Sequence, residues 1–209
     1  MNQVEENGLL KFDFLALRYL TIISDTEKQI REREPGFCVD ALPLDDKTTY
    51  ELISSGNTDG VFQLESGGMR QMLTQLRPDT IEDIIAAISL YRPGPMESIP
   101  KYIDNRRNRD KITYKTPLLK PILDVTYGCM VYQEQVMQVF RTLAGYSYGR
   151  ADVVRRAMSK KKRDVMENER NIFINGLADE NGNIVIEGAV RRGIDEKTAD
   201  AIFSDMISF

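Results

Sequence analysis

The chain has 209 residues, 42% of them hydrophobic and 29% charged, which suits one large water-soluble domain or one and a half. No apolar run approaches the roughly 20 residues that cross a bilayer, and the opening MNQVEENG lacks a basic-then-apolar signal pattern, so a cytoplasmic location with no membrane contact is expected. Histidine is absent, which excludes Ser-His and Cys-His nucleophile pairs, and the two cysteines, Cys38 and Cys129, form no CxxC motif. Carboxylates are left as the plausible metal ligands.

The net charge of −4 conceals an asymmetry. From Ile99 to Arg163 there are 15 basic and 5 acidic residues, and the remainder of the chain has 13 basic and 27 acidic. A basic segment within an acidic chain points to a face that binds a polyanion.

In chain order, GLLKFDFL at Gly8–Leu15 reads as a short buried strand with Lys11 and Asp13 on one side. A buried carboxylate needs a metal or an internal basic partner, and the pattern leaves both readings open. Leu15 to Arg33 is expected to be helical, with Leu17, Leu20 and Ile23 or Thr21 inward, and Pro35-Gly36 ends it. A short helix follows from Asp45-Asp46 to Ser55, closed by Gly56. Asn57–Gly60 is a turn and Val61–Leu64 a short extended piece. Ser66 caps a helix to Leu76, whose Gly67-Gly68 pair admits a close approach to the backbone.

Thr80 and Asp83 open the next helix with capping-box spacing. Ile81 to Leu90 is apolar nearly all round and so is expected at the centre. Tyr91-Arg-Pro-Gly-Pro95 breaks that helix and fixes Arg92 at a rigid corner. Lys101 to Lys120 reads as an exposed basic connector. Val131 to Leu143 is amphipathic, GYSYG is hinge-like, and a basic helix follows. Between Arg150 and Arg163 seven of fourteen residues are Arg or Lys, opposed within the run by Asp152 alone. On one helix, Arg155, Ser159 and Arg163 would share a face with Arg156 and Lys160 beside them. Such a face repels itself unless an anion lies against it, and phosphate suits arginine forks; the alternative is a solvated basic helix. Asp164 to Leu177 is a further helix, Asp179–Asn183 a turn, and Ile184–Gly193 is ambiguous between strand and helix. Asp195 starts a last helix that reaches Phe209 without a cap, as expected of a segment within a longer protein. The expected fold is mainly α, with short strands at most near Leu9–Phe14 and Val61–Leu64.

GLLKFDFLALRYLTII, GVFQLESGGMRQML, LYRPGPMESIPKYI and TYGCMVYQEQVMQVFRTLAGYSYGRADVVRRAMSKKK, in this order, resemble the alpha subunit of bacterial DNA polymerase III, a C-family replicative polymerase. The resemblance covers nearly the whole chain and is clearest from Gly8 to Leu177. It implies the end of a palm and its connection to the fingers at 1–60, and a helical fingers domain at 61–209. Lys11-Phe-Asp-Phe-Leu15 resembles the motif carrying the third of three catalytic aspartates that together hold two Mg²⁺ ions, which implies that Asp13 supplies part of such a metal site and that Lys11 contacts nucleotide phosphates. Val154-Arg-Arg-Ala-Met-Ser-Lys-Lys161 resembles the motif whose arginines hold the incoming triphosphate, here Arg155 and Arg156. Lys160, Lys161, Lys162 and Arg163 are then expected to contact DNA phosphates.

The implied partners are dNTP, primer-template DNA and, through parts of a longer chain, other polymerase III holoenzyme subunits such as the sliding clamp. With one of three metal-binding aspartates the segment is expected to be inactive alone. The rival readings are a non-enzymatic nucleic-acid-binding helical module and an interaction protein docking an acidic partner.

Overall fold

The computed structural model describes residues 4, 6–10, 12, 14–159 and 163–208. They are mainly helical and divide into two compact units, Met1–Asp46 and Lys47–Phe209.

In the first unit, α1 spans Arg18–Arg31 and a 3₁₀ turn spans Val39–Ala41. Local pairs support α1: Lys28 binds Asp25 at 3.0 Å, and Arg31 binds both Glu27 and the Phe37 carbonyl. None of its residues is buried, and Leu17, Leu20 and Ile23, expected to face inward, are exposed. The strand expected near Leu9–Phe14 is not found among its described residues. Leu9, Leu10, Phe12 and Phe14, the described residues of that stretch, adopt no strand and are exposed, and among the described residues no segment supplies the ladder hydrogen bonds that a strand requires. Lys11 and Asp13 lie outside the described residues.

The second unit starts with α2 (Lys47–Ser55), α3 (Gly67–Leu76), α4 (Ile81–Leu90) and α5 (Ile99–Arg107). Gly56 follows α2 at φ +77°, the left-handed exit expected of it. Val61–Leu64 is a turn rather than an extended piece. Leu64 N–H bonds the Val61 carbonyl, Gln63 is left-handed, and the buried Thr58 hydroxyl donates to the Leu64 carbonyl at 2.6 Å. Ser66 and Thr80 cap α3 and α4 as their spacing requires. The group that lies over Gly68 is the Tyr91 hydroxyl, which a Cβ there would meet at 1.8 Å. Met69, Met72, Leu73, Leu76, Ala87 and Leu90 form the heart of a first core. Tyr102 and Ile103 of α5 join it, so the supposed exposed connector holds a core helix. Its apolar residues are too few to register as a periodic stripe.

A second core gathers around α6 (Lys120–Leu123), α7 (Gln133–Ala144), α8 (Tyr148–Ser159), α9 (Arg163–Asn175) and α10 (Glu196–Ser208). Phe140, Phe173 and Phe203 meet there with centroids 5.4–6.0 Å apart. Such ring pairs contribute about 0.5–1.5 kcal/mol beyond burial. The strands among the described residues are β1 (Leu177–Ala178) and β2 (Ile184–Ile186), an antiparallel hairpin. This settles the ambiguity at Ile184 in favour of a strand. After β2, Gly188 passes so close to Gly176 that a Cβ would meet the Gly176 nitrogen at 2.3 Å. That close approach lets the Gly188 and Ala189 amides bond the Ala144 and Phe173 carbonyls.

Arg106 of α5 ties together the start of α4. Its Nε donates to Asp83 Oδ1 at 2.8 Å and Nη2 to Oδ2 at 2.7 Å, with Asp79 also at 2.7 Å. Burial alone would raise the Asp83 carboxyl, but the Arg106 hydrogen bonds, the Asp79 amide and the Arg106 charge hold it below the ordinary carboxylate range. Removing one partner of a buried pair costs about 3–5 kcal/mol. Arg106→Ala should therefore destabilise the fold by that order in urea unfolding. Because the folded pKa is lowered, the contribution of Asp83 is complete above about pH 4 and is lost as pH falls through the folded value. In Asp83→Asn the acid-side loss of stability should be correspondingly shallower.

Candidate phosphate-binding site

The basic helix α8 is placed by its apolar side. Ala151 and Val154 are buried in the second core, and Ala157 and Met158 pack against it. The Ser147 hydroxyl accepts the Arg150 amide at 3.3 Å and caps the helix start. The remaining faces carry the charges.

Three carboxylate and amide groups receive the arginines. Asp152 Oδ1 accepts from Arg155 Nε at 3.1 Å and Nη2 at 2.8 Å. Its Oδ2 lies 2.7 Å from Nη2 of Arg156. Gln133, at the start of α7, accepts Arg155 Nη1 at 2.7 Å. The Arg155 hydrogen bond, with the charges of both arginines, holds the Asp152 carboxyl below the ordinary range. The two guanidinium groups differ sharply in access: the Arg155 side chain is 19% exposed and that of Arg156 70%.

Arg150 turns to the other side. Its Nη2 lies 3.0 and 3.1 Å from the two oxygens of the buried Glu169 carboxylate on α9, and its guanidinium stands 5.6 Å from the centroid of the Tyr146 ring. The Tyr146 hydroxyl is buried without a hydrogen bond of normal geometry. Burial first, and then the adjacent Glu169 charge, push its pKa upward. An open cleft of about 340 Å³ runs beside this pair, lined by Gly149, Arg150, Val153, Val154, Ala157 and Glu169.

The Arg150–Glu169 ion pair shows how the basic helix and the further helix expected after it are arranged. Residues 19 apart on a continuous helix lie about 28 Å apart, yet these side chains touch. The helices α8 and α9 therefore pack side by side, with Arg163 opening the second. The structure brings Arg155 and Arg156 together at Asp152. Lys11, Asp13, Lys160, Lys161 and Lys162 lie outside the described residues. Gln133 and Glu169 went unnoticed in the sequence, since they are 22 and 19 residues from their partners, whereas Asp152 has the i,i+3 and i,i+4 spacing that announces a helix pair.

The profile of the bacterial DNA polymerase III alpha subunit finger domain matches residues 19–181. The chain belongs to the bacterial DNA polymerase III alpha subunit family. Over its full length it is 47% identical to the DNA polymerase III subunit alpha of Staphylococcus aureus strain COL and 50% identical to that of Staphylococcus epidermidis. It spans 19% of the length of each of these relatives. Helix α8 lies within the matched residues. Among the described residues no helix is long and apolar enough to cross a membrane.

The Arg150–Glu169 pair makes an asymmetric prediction. Arg150→Ala leaves a buried carboxylate without its cation and should cost about 3–5 kcal/mol. Glu169→Gln keeps an acceptor, and the half-exposed Arg150 can regain water, so its cost should be about 1–2 kcal/mol. Paired urea-unfolding curves check the order, and equal losses would contradict it.

Proposed function

We propose that the chain forms the end of the palm (1–60) and the helical fingers (61–209) of a template-directed DNA polymerase acting in DNA replication. The observation that carries this reading is the arginine pair of α8, side by side at Asp152, in a chain whose relatives are polymerase III alpha subunits. Phosphoryl transfer asks a protein for positioning and charge neutralisation more than for covalent chemistry. Arg155 and Arg156 would hold the triphosphate of the incoming dNTP and orient its α-phosphate toward the primer 3′ end. Lys11 would add a further hold on the phosphates. Lys160, Lys161, Lys162 and Arg163 would bind primer-template phosphates, with sequence read by base pairing alone.

Two Mg²⁺ ions, when bound, would supply charge neutralisation at the reacting phosphate. Among the described residues no three His, Cys, Asp or Glu side chains gather as a metal site. The ligand set proposed is Asp13 with acidic residues of a longer polymerase chain. One aspartate cannot hold two ions, so polymerisation would be a property of that longer chain and not of these 209 residues alone. The other holoenzyme subunits, the sliding clamp among them, would be met through its further parts, in the cytoplasm.

Two experiments on the full-length polymerase test this reading. Asp13→Asn removes charge with almost no change of shape, so nucleotide addition should be abolished in a protein that still folds; normal turnover would sink the assignment. Arg155→Ala or Arg156→Ala should raise the dNTP KM or lower kcat with little effect on DNA affinity. Replacing Lys161 and Lys162 should instead weaken primer-template binding and flatten its salt dependence by about one unit of slope for each DNA phosphate no longer neutralised. A non-enzymatic nucleic-acid-binding module would show the salt effect and no dNTP effect.

A further inference from the structure

The two adjacent arginines of α8 occupy unlike positions. Successive helical residues point about 100° apart, so Arg155 leans toward α7 and Arg156 toward solvent. Arg155 is gripped by Asp152 Oδ1 through Nε and Nη2 and by Gln133 through Nη1. It thereby brackets two helices, and its side chain is largely covered. Arg156 meets Asp152 through a single Nη on the opposite oxygen, and most of it is in water. One carboxylate thus serves both arginines, with a different oxygen and a different grip for each.

We propose that Asp152 is a positioning residue that divides the labour of this pair, fixing Arg155 as an interhelical bracket while presenting Arg156 as the cation that exchanges from carboxylate to phosphate. The inference rests on the proposed reading of the site as a triphosphate clamp and goes beyond it by making the two arginines unequal. The physical basis is competition. A single exposed ion pair is weak, so a phosphate bearing more negative charge than one carboxylate can displace Oδ2 from Arg156. The grip on Arg155 joins three of its nitrogens to two groups, and displacing it would also open the junction with α7.

Steady-state incorporation by the full-length polymerase tests the inference with Asp152→Asn, Asp152→Glu, Arg156→Ala and the double variant Asp152→Asn/Arg156→Ala. In Asp152→Asn, Arg156 no longer has to leave a charged partner, so the dNTP KM should fall about twofold to fivefold. The kcat should fall in the same variant, because the remaining amide grips Arg155 less firmly. Opposite movement of affinity and turnover is not what simple loss of structure produces. Asp152→Glu keeps the charge at a spacing that still reaches both arginines and should restore both constants to near their starting values. In the Arg156→Ala background, Asp152→Asn should leave KM unchanged.

A KM that is unchanged or raised in Asp152→Asn, or one that falls equally in both backgrounds, overturns the inference. If Arg156→Ala alone changes neither the dNTP KM nor kcat, the reading of the site as a triphosphate clamp fails, and this division of labour falls with it; if it lowers kcat alone, the clamp stands and the exchange of Arg156 onto phosphate is refuted. If Arg156→Ala raises KM while Asp152→Asn does nothing, the clamp stands and the role of Asp152 is refuted.

Discussion

The placement of the basic helix depends on Gln135, a buried amide whose hydrogen-bonding groups are engaged by the fold. Its Oε1 accepts from the Val131 and Tyr132 amides at 2.9 and 3.0 Å. Its Nε2 donates to the Ile122 carbonyl and to the Thr126 hydroxyl at 3.1 and 2.7 Å. Thr126 in turn donates to the Cys129 carbonyl at 2.6 Å. Cys129 and Val131 belong to the first core, and Ile122 and the body of α7 to the second. One side chain therefore joins the segments through which the two cores meet, and it fixes where α7 begins. Gln133 lies two residues earlier on that helix and grips Arg155. A buried network of this kind holds its geometry only while every member is satisfied, because an unpaired buried group costs about 1–3 kcal/mol.

The charge arrangement follows a similar logic. Seven basic residues in fourteen would repel along a solvated helix, and the sequence suggested that an external anion must relieve them. For the described arginines of the run the relief is internal. Glu169 takes Arg150 and Asp152 takes Arg155 and Arg156. Arginine suits both tasks, since its planar fork can bind two oxygens in the protein or two oxygens of a phosphate with the same geometry. The internal carboxylates keep the guanidinium groups ordered, which lowers the entropy lost when a ligand replaces them.

Much of the helical frame was legible because its signals are local. Ser66 and Thr80 cap the helices they precede, and Pro-Gly or lone Gly residues end others. The misplaced strands show where local reading fails. Val61-Phe-Gln-Leu64 has the composition of a strand, but Thr58 captures the Leu64 carbonyl and no ladder partner exists among the described residues. Ile184–Ile186 is a strand because Leu177–Ala178 comes back alongside it, a fact about pairing rather than composition. Tyr102 was hidden for a related reason. Basic neighbours masked a helix whose burial depends on α3 and α4 arriving from elsewhere in the chain.

The site divides along the same line. The motif at Val154–Lys161 identified the arginines, and the spacing of Asp152 to Arg155 and Arg156 could be read directly. Nothing local could announce that the chain reverses between Arg150 and Glu169 and brings the two side chains together. That reversal changes the physical meaning of the basic run. On one straight helix the seven charges would form a single extended stripe about 20 Å long. With α8 and α9 side by side, Arg150 is drawn into the interface between them, and Arg155 is drawn toward α7. The stripe is thereby broken into charges spent on holding helices together and charges left facing outward, of which the largely exposed Arg156 is the clearest case among the described residues. A strongly basic sequence run is therefore a poor measure of how much positive charge a surface offers to a ligand; the measure is how many of its cations the fold has already paired.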